Sequence, residues 1–331
     1  MKFSFSTDVN GKCIAAAGSA LVDICLIESD DFLQLTGAPK GGMTLVDSST
    51  IKQILSKTSK APIVVPGGSA CNTILGISKL GAQARFIGKL GKDELGEQFM
   101  HGLLNHKVEP VILRSDSPTG HVLSIITPDA QRSMFTYLGA SSETLPQEIT
   151  PSHFKDCALV HIEGYMLFNK DLMIATLEAA KQNNALISLD LASFTVVESA
   201  KDFIDEICTK YVDILIANED EARAFTGCSD EQEALKILSE KAQIAVLKVG
   251  KRGSFIAHNN SVITVKPIGN GDAVDTTGAG DLWAAGFLYG LINGFSLEKC
   301  GEIGSYCGYE VCQVVGATIP NEGWERIKQI I

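Results

Sequence analysis

The chain has 331 residues, 45% of them hydrophobic, which is enough to bury a large core as one big domain or two small ones. A formal net charge of -11 without any Lys/Arg-rich run argues against a nucleic-acid partner, because that affinity comes from clustered cations. The apolar stretch "CIAAAGSALVDICLI" is interrupted by Asp23 and falls short of the roughly 20 residues a membrane span needs, so no membrane partner is expected.

That stretch also lacks a basic leader and a cleavage site, so no export signal is read from it. The nine cysteines (13, 25, 71, 157, 208, 228, 300, 307 and 312) form no CxxC pair and are scattered through apolar segments. They read as reduced core thiols, and with the missing export signal they predict a cytoplasmic protein. His101 and His106, five residues apart, would point in different directions on a helix and do not form a metal pair.

In chain order, residues 13–22 form a continuous apolar run, as a strand buried on both faces would. "NTILGISKL", 72–80, has helical apolar spacing and stops at Gly81, a C-terminal cap, and "ARFIGKL", 84–90, reads as the next strand. Later strands are expected at 159–164, 185–191, 212–219 and 244–250, separated by helical stretches such as "LMIATLEAAKQNN" and "DEQEALKILSEKA". Each gap is long enough for a crossover helix, so the pattern predicts an α/β fold around a mainly parallel sheet. Two regions, 26–47 and 111–138, carry short β alternation with turn residues instead, the second reading as a hairpin with "PDAQ" as its turn. They predict a small separate sheet, a lid, inserted into one domain spanning 1–331.

The chemistry concentrates in "VDTTGAGDLWAAGF", 274–287. Gly278, Ala279 and Gly280 put almost no bulk at the start of an apolar stretch. A helix beginning there leaves its first N–H groups unpartnered and suited to an anion, with Asp281 in the first turn beside them. Taken alone, an acidic first turn that favours the helix dipole is the plainer explanation. A carboxylate next to an anion hole is also what phosphoryl transfer requires. The usual nucleotide signatures are absent: Gly91-Lys92 is followed by Asp93, with Phe86 where a P-loop needs glycine, and the near match to GxGxxG at Gly278 ends on Trp283.

At this point the sequence resembles the ribokinase-like, or phosphofructokinase-B (PfkB), family of sugar and nucleoside kinases. "DTTGAGD", 275–281, matches the family's C-terminal signature completely, and "GGSACNTILGISKLGAQARFIGKLGKDELG", 67–96, matches its N-terminal one. The resemblance covers essentially the whole chain. It implies a three-layer αβα sandwich with a mainly parallel central sheet and a small inserted β-sheet lid, with ATP and Mg²⁺ as cofactors. It implies Asp281 as general base and the N–H groups of Gly278, Ala279 and Gly280 as anion hole. Asp275 matches a position that helps to hold a monovalent cation such as K⁺. Asn218 and Glu221 in "NEDE" match the Asn-x-x-Glu element that organises Mg²⁺ through water, although by themselves they read as a helix cap. "LKVGKRG", 247–253, resembles the segment lining the nucleotide site, with Gly250, Gly253 and Thr276 on the same side and Lys248 where a threonine is frequent.

On the acceptor side, Asp23 ends an apolar strand, where alone it would be a solvated strand-end acid. The resemblance implies that it binds two acceptor hydroxyls, which a carboxylate can accept together. It further implies that Gly67 and Gly68 let backbone approach the acceptor, that Asn72 supplies an amide, and that Glu163 faces the same site. The expected reaction is transfer of the γ-phosphoryl group of ATP to a primary hydroxyl of a small polyol. Ser69-Ala70-Cys71-Asn72 looks more like the adenosine-kinase branch than the ribokinase one, and Met43, Met134, Phe135 and Tyr137 of the lid could pack on a base. Adenosine is therefore the favoured acceptor, with a ribose- or fructose-type sugar as the alternative and a non-catalytic sensor or scaffold as a remote one. The protein would be a monomer or a homodimer formed through the lid.

Overall fold

A computed structural model describes residues 13–38, 40–129 and 131–331. Among these the chain runs β1 (Cys13–Ala17), β2 (Leu21–Ile27), α1 (Asp30–Gln34), β3 (Met43–Leu45), α2 (Ser48–Leu55), β4 (Ile63–Gly67) and α3 (Ser69–Leu80). It continues through β5 (Ala84–Gly91), α4 (Glu94–Asn105), β6 (Val108–Ser115), β7 (Gly120–Ile126), β8 (Arg132–Tyr137), β9 (Cys157–Glu163) and α5 (Lys170–Lys181). Next come β10 (Leu186–Asp190), α6 (Phe194–Lys210), β11 (Ile214–Asn218), α7 (Glu219–Thr226), α8 (Glu231–Ser239) and β12 (Ile244–Lys248). The last elements are β13 (Ser254–His258), β14 (Ser261–Val265), α9 (Ala279–Ile292), α10 (Leu297–Cys312) and α11 (Asn321–Lys328).

Nine strands form one sheet in the order β14-β13-β12-β11-β10-β9-β1-β5-β6, parallel from β12 to β6, with β13 and β14 added antiparallel. Its strands are apolar on both sides because helices cover both faces. In β1, Ile14 and Ala16 join a core shared with α3, α9 and α10, while Cys13, Ala15 and Ala17 join a second core with α5 to α8. The result is the three-layer α/β sandwich that the family resemblance implies.

α9 is apolar nearly all round, which suits a helix enclosed by the sheet, α3 and α10. A Cβ on Gly286 would stand 2.7 Å from the carbonyl oxygen of Ile303, so glycine is what lets α10 lie this close. α11 is tied back where Arg326 donates twice, at 2.6 Å each, to the buried carboxylate of Glu310.

The second sheet has five strands in the order β3-β8-β7-β2-β4. The predicted hairpin is present as β7 and β8, antiparallel, with His121 opposite Tyr137 and Ile126 opposite Arg132. Residue 130 of the "PDAQ" turn lies outside the described residues.

Three readings of the elements are corrected. The run 13–22 is not one strand: after β1 the chain bends at Gly18–Ala20 and β2 crosses into the small sheet. An unbroken apolar run does not say where a chain changes sheets. The stretch 111–115 belongs to β6, which pairs parallel with β5 at the edge of the large sheet, not to the small one. The small sheet also includes the whole of β2 and β4, "IVVPG", which the 26–47 boundary misses. Proline in "IVVPG" argues against a central strand, and β4 is indeed an edge strand. Among the described residues no helix is long and apolar enough to cross a membrane.

Candidate active site

Five parallel strands of the large sheet end on the same side, and their last residues build the floor of a crevice. Glu163 closes β9, Asp190 closes β10, Asn218 closes β11 and Lys248 closes β12, while β1 runs into Gly18 and Ser19. Ligands of open α/β sheets bind at such carboxyl ends. The N-terminus of α9 and the start of α3 close over the floor, and the small sheet supplies Asp23 from β2.

Asp281 lies in the first turn of α9 and bridges to α3. Its Oδ1 accepts from Ser69 Oγ at 2.7 Å and its Oδ2 from Asn72 Nδ2 at 2.9 Å. Thr73 Oγ1 donates to the Asp281 carbonyl at 3.2 Å. Burial pushes the Asp281 carboxyl above the usual carboxylate range; the Asn72 and Ser69 hydrogen bonds oppose the shift and Asp190 adds to it. A carboxylate so held has two fixed oxygens and a raised proton affinity, the properties of a general base.

The helix start is a set of free donors, as the glycine spacing predicts, with one change. The Ala279 N–H donates to the Thr276 carbonyl at 3.1 Å, closing the turn that Gly278 makes at φ 74°. Among the described residues, the N–H groups of Gly278, Gly280 and Asp281 have no acceptor. The donors open to an anion are therefore these three.

Asp275 does not face that opening. Its Oδ1 takes the Thr277 N–H at 2.9 Å and hydroxyl at 2.7 Å, and its Oδ2 takes the Gly316 N–H at 2.9 Å. It ties the loop before α9 to the one after α10.

Asp23 and the paired glycines are packed as one unit. A Cβ on Gly67 would stand 2.3 Å from Asp23 Cγ, and one on Gly68, at φ 95°, would stand 2.4 Å from the Ser19 carbonyl oxygen. Larger residues at either position would displace the carboxylate or the loop. Burial pushes the Asp23 carboxyl up to about 6, against the pull of Arg132 and with a further push from Asp281.

Glu163 is fully buried and points elsewhere than the acceptor reading implies. Its Oε1 accepts the Ser19 N–H at 2.7 Å and its Oε2 the Ala70 N–H at 2.9 Å. It holds together the β1–β2 bend and the first turn of α3, and so positions Ser69 and Asn72. Burial raises its carboxyl, and the two amide hydrogen bonds counteract this.

Further along the same row of strand ends, Asn218 and Glu221 form a reciprocal helix cap at α7. The Glu221 N–H donates to Asn218 Oδ1 at 2.9 Å, and the Glu221 carboxylate accepts the Asn218 N–H at 2.8 Å and side-chain amide at 2.7 Å. Burial and then the neighbouring Asp190 push Glu221 up to about 7. The cap expected from the residues alone and the acid expected from the family motif are the same two side chains. Lys248 Nζ pairs with Asp190 Oδ2 at 2.8 Å, spanning β11. Gly250 and Gly253 make the tight link from β12 to β13, and Thr276 is exposed at the approach to α9.

Ser69 and Asp190 were missed in the sequence. Ser69 follows the double glycine directly, and Asp190 is a carboxylate ending a buried strand, the kind of position that carries function in such sheets. The four lid residues expected against a base are divided by strand alternation. Met43 and Met134 are in register with each other on the face of Asp23, whereas Phe135 and Tyr137 alternate to the other face and pack against the core.

A large sheet with these covering layers, a smaller five-stranded sheet and a helix N-terminus bearing an aspartate define a kinase of the ribokinase fold. The chain matches the pfkB family carbohydrate kinase model over residues 46–324 and belongs to that family. It is thus a phosphotransferase with an alcohol group as acceptor, a carbohydrate or nucleoside kinase. Adenosine kinase of Saccharomyces cerevisiae is 30% identical over 278 residues, 78% of this chain and 81% of the yeast protein. A 5-dehydro-2-deoxygluconokinase of Geobacillus thermodenitrificans is 27% identical, covering 72% of this chain and 76% of its own length. Among solved structures, adenosine kinase from Sinorhizobium meliloti superposes with a TM-score of 0.87 at 30% identity over 97% of this chain and 99% of that one. A protein described as a "probable sugar kinase protein" from Rhizobium etli superposes at 0.88 and 31% identity with the same coverage.

Proposed function

We propose that this kinase transfers the γ-phosphoryl group of ATP to a primary hydroxyl of a nucleoside, with adenosine favoured. The observation that carries the reading is Asp281, held by Ser69 and Asn72 beside the free N–H groups at the start of α9. Asp23 orients the acceptor through its hydroxyls. Asp281 takes the proton of the attacking hydroxyl as the new O–P bond forms and the bond to the bridging oxygen breaks, its electron pair leaving with ADP. The N–H groups of Gly278, Gly280 and Asp281 receive the charge on the moving group.

The site suits a metal-bound triphosphate: the free amides and Lys248 offer donors to phosphate oxygens, and Glu221 is a buried acid at the edge of the same crevice. Asn218 and Glu221 would hold Mg²⁺ through water, and the ion offsets phosphate charge. Asp275 remains the residue proposed for a monovalent cation, close to the α9 start.

Adenosine kinases among the relatives at 30% identity, and the Ser69–Asn72 sequence after the double glycine, support a nucleoside. A sugar acceptor is the second reading, supported by the gluconokinase and sugar-kinase relatives. The test is ADP release from Mg·ATP with adenosine, inosine, guanosine, ribose and fructose in parallel. Turnover with a nucleoside alone supports the first reading, and turnover with a free sugar alone overturns it in favour of the second.

The acceptor site should be pH-sensitive. Only the ionised Asp23 accepts from two hydroxyls, so the acceptor KM is expected to rise about tenfold per pH unit below about 6. The stability effect has the opposite sense: a raised carboxyl holds a proton that the unfolded chain has released, so its contribution falls as pH rises from about 4 to about 6. KM measured from pH 5 to 8 in the native protein and in Asp23→Asn checks this; a profile unchanged by the substitution would refute the assignment.

A further inference from the structure

The phosphoryl-transfer reading counts Lys248 among the donors to phosphate but does not say which phosphate it serves or what Asp190 contributes, and the following inference rests on that reading. An ammonium group has three donors. Lys248 uses one, on Asp190 Oδ2 at 2.8 Å, and among the described residues its other two have no acceptor. A Cβ on Gly280 would stand 3.1 Å from Lys248 Nζ, so the ammonium lies against the first turn of α9, beside the free Gly280 N–H. The pair is largely buried, with 14% of the lysine and 7% of the aspartate side chain exposed.

We propose that Lys248 is a catalytic cation that donates to the transferred phosphoryl group, and that Asp190 is the positioning residue that holds it there. The moving group carries negative charge on its peripheral oxygens, and stabilisation is greatest from donors fixed before the reaction in a water-poor site. A lysine is a compact charge on a flexible four-carbon stem, and needs a second group to fix it. Asp190 supplies that constraint from the end of β10 while leaving two N–H donors free. Lys248 keeps its proton throughout and acts only by charge and hydrogen bonding. A purely structural pair would instead be expected to spend its donors on neighbouring protein groups.

The test compares the native enzyme with K248M, D190N and K248M/D190N. K248M is expected to lower kcat by about 10²–10³-fold with both KM values within about threefold, the signature of an interaction made in the transition state. D190N is expected to lower kcat by about tenfold, and the double variant to be no slower than K248M. A folded K248M with kcat within threefold of native, a loss confined to the KM for ATP, or recovery of native kcat in the double variant would each overturn the proposal. If K248M leaves Asp190 too costly to bury and the protein does not fold, the double variant, which removes both charges, is compared with the native enzyme instead.

A second measurement does not depend on knowing the acceptor: calorimetric binding of Mg·ADP with and without fluoroaluminate, a mimic of the moving phosphoryl group. The extra affinity given by fluoroaluminate should be at least tenfold smaller in the lysine variant, and equal gains in both proteins would refute the assignment. If the native protein turns over none of the offered acceptors, the substrate reading fails, while this comparison still decides the role of Lys248.

Discussion

Asp281→Asn is expected to reduce kcat by about 10²–10⁴-fold while leaving the fold and the affinity for Mg·ATP close to native, the range that removal of a general base produces. The amide keeps the shape of the carboxylate and can still accept from one of its two partners, Ser69 Oγ and Asn72 Nδ2. What it lacks is the ability to take a proton. Steady-state ADP release beside a thermal melt is the check. A variant with native turnover would remove Asp281 from the base role, and one that melts far earlier would show that the bridge from α9 to α3 is its main contribution. Ser69→Ala removes one partner without touching the acid, and is expected to lower kcat by a smaller factor, because the carboxylate loses orientation but not basicity.

The second large effect is on stability. Glu163→Gln, nearly isosteric, is expected to destabilise the protein by about 2–4 kcal/mol. Both carboxylate oxygens of Glu163 accept backbone N–H groups, from Ser19 and from Ala70, inside the protein. A glutamine has one oxygen and one NH₂ group, so one amide must face another donor without water to relieve it. The same change loosens Ser69 and Asn72 at the start of α3, so kcat should fall together with the denaturation midpoint. Chemical denaturation of the two proteins measures the first and initial rates the second. A stability change under 1 kcal/mol would mean that the bend between β1 and β2 and the start of α3 are held by something else.

Much of this architecture was readable along the chain because it is local or periodic. The alternation of β11, α7, α8 and β12 shows in the apolar spacing, and the end of α3 at Gly81 shows in one residue whose φ of 105° suits glycine. The stretch before α9 was legible for the same reason: seven consecutive residues make the turn, the free amides and the acid together. The departures were places where the local pattern is silent. β1 and β2 are one apolar run in sequence, and only the packing of Gly18 against Glu163, where a Cβ would meet the carboxylate at 2.5 Å, shows why the chain turns there. β6 runs on in sequence toward β7 and β8 of the small sheet, yet its pairing with β5 places it in the large sheet.

The candidate site divides in the same way. By itself the sequence determined which residues carry charge or leave backbone exposed: Asp281 in its glycine turn, Asp23 at the end of an apolar strand, the Asn218–Glu221 cap and the double glycine at 67–68. Tertiary structure alone decided how those groups are used. Asp281 meets Ser69 across 212 residues, Ser19 meets Glu163 across 144, and Lys248 meets Asp190 across 58. Such pairings depend on which strand ends share one edge of the sheet. No spacing rule along the chain encodes that, because hydrogen bonds and ion pairs act over a few ångströms of space whatever the length of chain between the partners.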